Sequence, residues 1–157
     1  MTSKLKTALR PLPLLLLAAG IGAGLIACGS SSDGDVPTLS GQVVGSYYEN
    51  ASVCLESTNA KLTCDSNSGS VRTGADGSFK VTGTNSGPLL VTVDTDAIRH
   101  DALGDAGTKV AQKLVFRAPN GHTGIIDAVS TELSAIMDAN GGDFAKASAQ
   151  LLSLIHI

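Results

Sequence analysis

The chain contains no tryptophan, and aromatic residues of all kinds make up only 3% of its 157 positions. A core this poor in rings must be built from Val, Leu, Ile and Ala. Little is left over to stack on sugars or bases. Only 16% of residues are charged. Three of the 11 Lys and Arg precede position 28, whereas all 14 Asp and Glu lie from Asp33 onward. The rest of the chain therefore sets 8 basic side chains against 14 acidic ones, a balance of about −6, which argues against a nucleic-acid partner. No Gly-x-Ser-x-Gly, His-Glu-x-x-His or phosphate-binding loop occurs. No motif therefore points to a hydrolase, a zinc protease or a nucleotide enzyme, and neither a catalytic residue nor a cofactor is expected.

The lack of acidic residues before Asp33 frames the most informative part of the chain. Lys4, Lys6 and Arg10 form a positive start, and Leu12 to Ile26 form an apolar run. That run is short and broken by glycines, which suits an export signal better than a membrane span. It closes on Leu25-Ile26-Ala27-Cys28. These four residues, in this context, resemble the lipobox of bacterial lipoproteins. The resemblance implies that residues 1–27 are a signal peptide and that the mature chain begins at a lipidated Cys28. Lipoproteins of that class carry a diacylglyceryl thioether, and often an N-acyl chain such as palmitate. One acyl chain binds a bilayer only marginally, whereas two or three hold it stably. Gly29 follows the cysteine where an Asp would signal inner-membrane retention, so the expected address is the outer membrane of a Gram-negative envelope.

The chain has only three cysteines. With Cys28 used as the anchor, Cys54 and Cys64 remain, and two cysteines in an exported chain read as one disulfide. The loop they close is short, and the chain-entropy model puts its worth at about 2–3 kcal/mol. A metal pair is the lesser alternative, since no histidine or second cysteine pair lies nearby.

About 120 residues after the anchor suffice for one modest domain. Residues 28–37 are rich in Gly, Ser and Asp and read as a flexible linker. From 38 to 118 the apolar residues alternate. Leu39, Gly41 and Val43 share a face, as do Ala51, Val53 and Leu55, then Phe79 and Val81, then Leu89, Val91 and Val93. Val110, Leu114, Phe116 and Ala118 follow, with Lys109, Lys113 and Arg117 on the opposite, solvent side. Period two of this kind predicts half-buried strands. Gly45-Ser46, Ser66 to Gly69, Asp76-Gly77 and Asn85 to Pro88 mark the turns, and Asp76-Gly77 predicts a tight hairpin. The polar stretch Asp94 to Thr108 reads as a long loop. The expected fold is mainly β, a small β-sandwich. After Pro119 the period changes. Ile125, Val129, Leu133 and Met137, flanked by Ile126 and Ile136, predict a helix capped by Asp127 and stopped at Asn140-Gly141-Gly142. Asp143 is positioned to cap a second helix over Phe144 to Leu151, so 119–151 reads as a helical region.

The phrases Leu39-Ser40-Gly41-Gln42-Val43-Val44, Ala51-Ser52-Val53-Cys54-Leu55-Glu56, Cys64-Asp65 and Thr73-Gly74-Ala75-Asp76-Gly77-Ser78-Phe79 together resemble the carboxypeptidase regulatory-like, or prealbumin-like, β-sandwich domains of bacterial surface proteins. Gly74 stands where that family usually has Asp. The resemblance spans about Thr38 to Val93. It implies an Ig-like sandwich and, in envelope lipoproteins with a Val-Cys-Leu-Asp strand, a Cys-Asp partner after an Asn-rich turn. Such proteins often continue into a helical region, whose opening phrase Ile126 to Leu133 loosely resembles.

Candidate sites are few. Glu56, Asn59, Asp65 and Asp76 supply oxygens of the kind calcium takes, but an alternating Asp-x-Asn-x-Asp loop is missing and Lys61 intrudes, so solvated turn residues are the expectation. Asp94, Asp96, His100 and Asp101 could form a metal or acid–base cluster, but a polar loop gives them no common face, and a solvated loop is again expected. His122 follows the Asn120-Gly121 turn without a partner by motif. Tyr47-Tyr48 could stack on a glycan or anchor another envelope protein, though capping the end of the sandwich is the simpler role. Residues 152–157, Leu-Ser-Leu-Ile-His-Ile, back-translate to the end of a transposase adapter used in sequencing libraries. They are expected to be non-native, with the natural chain continuing elsewhere, and His156 enters no site. The visible part is thus expected to be a non-catalytic module anchored in the bilayer. The alternative is the N-terminal piece of a lipoprotein enzyme or of a solute- or carbohydrate-binding protein.

Overall fold

Ten short strands precede two helices in the computed structural model, which describes residues 36–83 and 87–155. The expected signal helix, Cys28, most of the linker, Asn85, Ser86 and His156 lie outside these residues. The strands are β1 Thr38–Val43, β2 Tyr47–Glu49, β3 Ser52–Leu55, β4 Val71–Arg72, β5 Ser78–Thr82, β6 Leu89–Val93, β7 Ile98–His100, β8 Thr108–Lys109, β9 Leu114–Ala118 and β10 Gly124–Ile126. The helices are α1 Ala128–Ala139 and α2 Phe144–Ile155. Neither is long and apolar enough to cross a membrane.

The strands form a four-stranded sheet in the order β4-β3-β6-β9 and two three-stranded sheets, β10-β1-β5 and β2-β7-β8. Val53, Leu55, Leu89, Val91 and Val93 of the larger sheet meet Val43, Phe79 and Val81 of one smaller sheet and Tyr48 of the other in a single core, joined by Ala97, Val110, Ala118 and Ile126. The fold is a mainly β sandwich followed by helices, as expected. Aliphatic side chains dominate the core; Tyr48 and Phe116 supply its one ring pair among the described residues, with centroids 5.8 Å apart.

Three local expectations change. The Asp76-Gly77 turn forms, with Gly77 at φ +74° and its N–H donating to the Gly74 carbonyl at 2.8 Å. The strands it joins then part into different sheets, so the turn makes a crossing between layers and no hairpin. The stretch from Asp94 to Thr108 holds β7 and the start of β8, because β7 finds an antiparallel partner in β2, Tyr47 opposite His100. Ile125 and Ile126 belong to β10, which pairs parallel to β1, so the helix begins later than its apolar spacing suggests.

The helix is set by polar bonds. Asp127 caps it: its Oδ1 accepts the Ser130 N–H at 2.8 Å, and its own N–H donates to Ser130 Oγ at 2.9 Å. Its inward face carries buried Ser130, Ser134 and Ile136, whereas Val129 is 51% exposed. The reason lies in β9, an edge strand whose backbone needs partners. The Arg117 N–H donates to Thr131 Oγ1 at 3.0 Å, and Ser130 Oγ donates to the Arg117 carbonyl at 2.9 Å. Hydroxyls on α1 thus do for β9 what another strand would have done. The Asn140–Gly142 stop forms, with the Gly142 N–H on the Met137 carbonyl at 2.8 Å, and Asp143 Oδ1 caps α2 through the Lys146 N–H at 3.0 Å.

Gly41 lies in β1 where β10 and β5 close on both sides. A Cβ there would strike the Gly124 carbonyl oxygen and stand 3.0 Å from the Phe79 ring. Gly41→Ala should lower stability by about 1–3 kcal/mol in urea denaturation, as overpacking does. Gly69→Ala, with open space around its Cα, should change it by less than about 0.5 kcal/mol.

Candidate functional site

The four-stranded sheet was expected to leave one face to solvent. Instead Cys54, Leu90 and Arg117, neighbours across β3, β6 and β9, are all buried. The disulfide loop after β3 and helix α1 cover them. Cys54 and Cys64 are bonded, with Cα atoms 5.7 Å apart. The chain between them folds back as a narrow loop, Glu56 bridging Cys64 and the Ser57 N–H donating to the Thr63 carbonyl at 2.7 Å.

Beneath this loop lies a line of alternating charges. Glu56, 1% exposed, accepts from Arg117 Nε at 3.0 Å and from Nη2 at 2.5 Å through its Oε2. Its Oε1 accepts the backbone N–H of Leu62, a residue held at φ +57°. Arg117 Nη1 donates to Asp138 Oδ2 on α1 at 2.9 Å, and Lys61 Nζ reaches the same oxygen at 2.9 Å. Two carboxylates and two cations thus neutralise one another in sequence. Burial disfavours the charge on Arg117, but the hydrogen bonds and attraction of Asp138 and Glu56 outweigh it and hold the guanidinium above its ordinary proton affinity. Burial likewise opposes ionisation of Asp138, yet Lys61 and Arg117 keep its carboxyl below the usual range. An open depression of about 460 Å³, lined by Lys61, Leu62, Arg117, Ala135, Asp138 and Ala139, lies above the network.

The second concentration of charge is on β2-β7-β8. His100, 6% exposed, places Nε2 at 2.8 Å from Glu49 Oε2 and Nδ1 at 2.9 Å from Asp105 Oδ1. Asp105 also gathers the N–H groups of Asp101, Ala102 and Gly107, so it organises the whole β7–β8 turn. Above this sheet a cleft of about 360 Å³ runs past Tyr48, Arg99, Thr108, Lys109, Val110 and Leu114.

The residues singled out in sequence go to separate tasks. Glu56 is no solvated turn residue: Arg117 and the loop cover it. Asn59 donates its N–H to Ser57 Oγ at 3.2 Å, Asp65 accepts the Asn67 N–H at 3.0 Å, and Asp76 accepts the Ser78 N–H at 2.9 Å. Ser78, foremost through its side chain, holds the Asp76 carboxyl below its ordinary value. Asp94 faces Lys113 at 3.5 Å, Asp96 accepts from Asn50 at 3.1 Å, and Asp101 pairs with Arg99. His100 leaves that group altogether and is buried against Glu49 and Asp105. Among the described residues, no group of three or more His, Cys, Asp or Glu is arranged to hold a metal ion. His122 Nε2 bonds the Ile125 carbonyl at 2.7 Å across its own turn. Strand alternation splits the tyrosines: Tyr48 goes into the core, and Tyr47 stays half-buried beside Val44, Ser46 and Asp101. Arg117, Asp138, Glu49 and Asp105 were missed. For Arg117 the one available signal was a cation inside an otherwise apolar strand, Leu114–Ala118.

No family model matches the chain, and no curated protein or solved structure matches it either.

Breaking a buried pair leaves an uncompensated charge. Arg117→Met should therefore cost about 3–5 kcal/mol in chemical denaturation. Glu56→Leu with Arg117→Met should cost clearly less than the sum of the two single changes; strict additivity would show that the pair is not coupled.

Proposed function

We propose that this chain is a lipid-anchored protein of the bacterial cell envelope, and that its folded part is a non-catalytic structural or interaction module. The anchor reading rests on Leu25-Ile26-Ala27-Cys28 in its export-signal context. Its partner is the bilayer itself, entered by acyl chains on Cys28. The observation that carries the non-catalytic reading is that Arg117 and His100, the two buried basic side chains among the described residues, are each held between carboxylates. Each guanidinium nitrogen of Arg117 donates to Glu56 or Asp138, and both ring nitrogens of His100 are engaged by carboxylates. A general base or an anion-binding arginine must instead present an open position to substrate. The disulfide suits the same compartment, since such bonds persist outside the reducing cytosol. Contact with other envelope proteins or with glycans would fall to the surface. Tyr48 is buried, so of the tyrosine pair only Tyr47 is left to stack on sugar.

Cys28→Ser tests the anchor in cells fed a labelled fatty acid. The unaltered protein should take up label and stay with membranes after an alkaline wash, and the variant should lose both properties. Label or membrane retention unchanged in the variant would overturn the proposal.

A further inference from the structure

We propose that His100, Glu49 and Asp105 form a pH-sensitive latch on the β2-β7-β8 sheet, and that the latch holds the wall of the 360 Å³ cleft lined by Tyr48, Arg99 and Thr108. The geometry is specific. Both ring nitrogens lie within 2.9 Å of a carboxylate oxygen, one on β2 and one in the β7–β8 turn. Only an imidazolium can donate to both at once. A neutral ring turns a lone pair toward one of the two carboxylates, so losing the proton replaces one charged hydrogen bond with a repulsion. Gly107 packs closely on the ring and leaves no room for a side chain of its own. A Cβ on Gly107, at φ +65°, would be 2.8 Å from Nδ1.

The surrounding charges are few. On β2, Glu49 bonds the ring and Tyr47 stands opposite it in register. Arg99 on β7 and Asp101 just after it flank the ring and pair with each other at 3.1 Å. In the turn, Asp105 completes the sandwich. On β8, Lys109 lies opposite Ile98. The Glu49 hydrogen bond is the foremost cause raising the proton affinity of His100 above the ordinary histidine value. Burial opposes it and Asp105 adds to it. The Ala102 N–H is the foremost cause holding Asp105 below its ordinary value. Burial opposes it, while His100 and the Asp101 and Gly107 N–H groups assist.

These directions fix the window. The folded ring binds its proton more tightly than the unfolded one. Its contribution is therefore complete below the unfolded value of about 6.5, and is lost as pH rises through the folded value. Asp105 behaves oppositely: its contribution is present above its unfolded value and is lost as pH falls through the folded one. The latch is closed between these two limits and opens on the alkaline side by deprotonation of His100.

The test is an NMR titration of the His100 ring in the 157-residue chain. Amide exchange of Arg99 and Lys109 is followed in parallel, as protection relative to intrinsic exchange at each pH. The ring should titrate above its midpoint in urea-unfolded chain, and protection should fall at least tenfold with the same midpoint. Glu49→Gln should move both midpoints down together by about one pH unit. His100→Gln should give protection independent of pH across that range. A ring midpoint equal to the unfolded one, or protection that stays level while the ring titrates, would overturn the latch. The unaltered protein decides this even if a variant does not fold.

Discussion

The guanidinium of Arg117 sits nearly out of water between Glu56 and Asp138, and the arrangement of β3, β9, α1 and the disulfide loop depends on keeping it paired. An arginine at this depth is strongly disfavoured unless each donor finds an acceptor. Glu56 at the end of β3 and Asp138 late in α1 come from opposite ends of the folded unit. The network therefore closes only when the sheet, the loop and the helix are all in place. The disulfide acts on the same point. By holding Cys64 against β3, it returns the chain so that Leu62 donates its N–H to Glu56 and Lys61 reaches Asp138. The covalent bond and the ion pairs reinforce one another, and the left-handed backbone at Leu62 is tolerated because a buried carboxylate accepts its N–H.

The β2-β7-β8 sheet solves a similar problem with a different cation. There too a buried positive group lies between two carboxylates. The chain carries an acidic excess, and both arrangements use it internally by placing acids around a cation. The difference is titration. Arginine keeps its charge throughout the range in which histidine titrates, so the Arg117 network does not lose its central cation there. Histidine does not, so the sheet around His100 carries a condition on pH near neutrality that the Arg117 network lacks.

Much of the sandwich was legible in the sequence. The alternation in β1, β5 and β6, the caps at Asp127 and Asp143, the glycine stop after α1 and the pairing of the two downstream cysteines all correspond to the structure. Each depends on residues close in the chain or on a choice with a single chemically sensible outcome. The candidate site was far less legible. Glu56 looked like a turn acid because its partner is 61 residues away. Arg117 looked like a solvent-facing strand residue because period two assigns faces without saying what covers them. The strand β7 was hidden because three residues are too few to show a period, and only pairing with β2 makes them a strand.

Residue order alone was sufficient for the β class, most of the turns, the caps that start both helices and the glycine stop of the first. Backbone preference, side-chain alternation and local capping act over a few residues and so are written there. Which face of the central sheet is covered, which hydroxyls close the β9 edge, and which acids enclose Arg117 and His100 depended on the assembled fold. Those choices turn on removing charge and backbone polar groups from water. Whether a group meets its partner is settled only when distant segments arrive together.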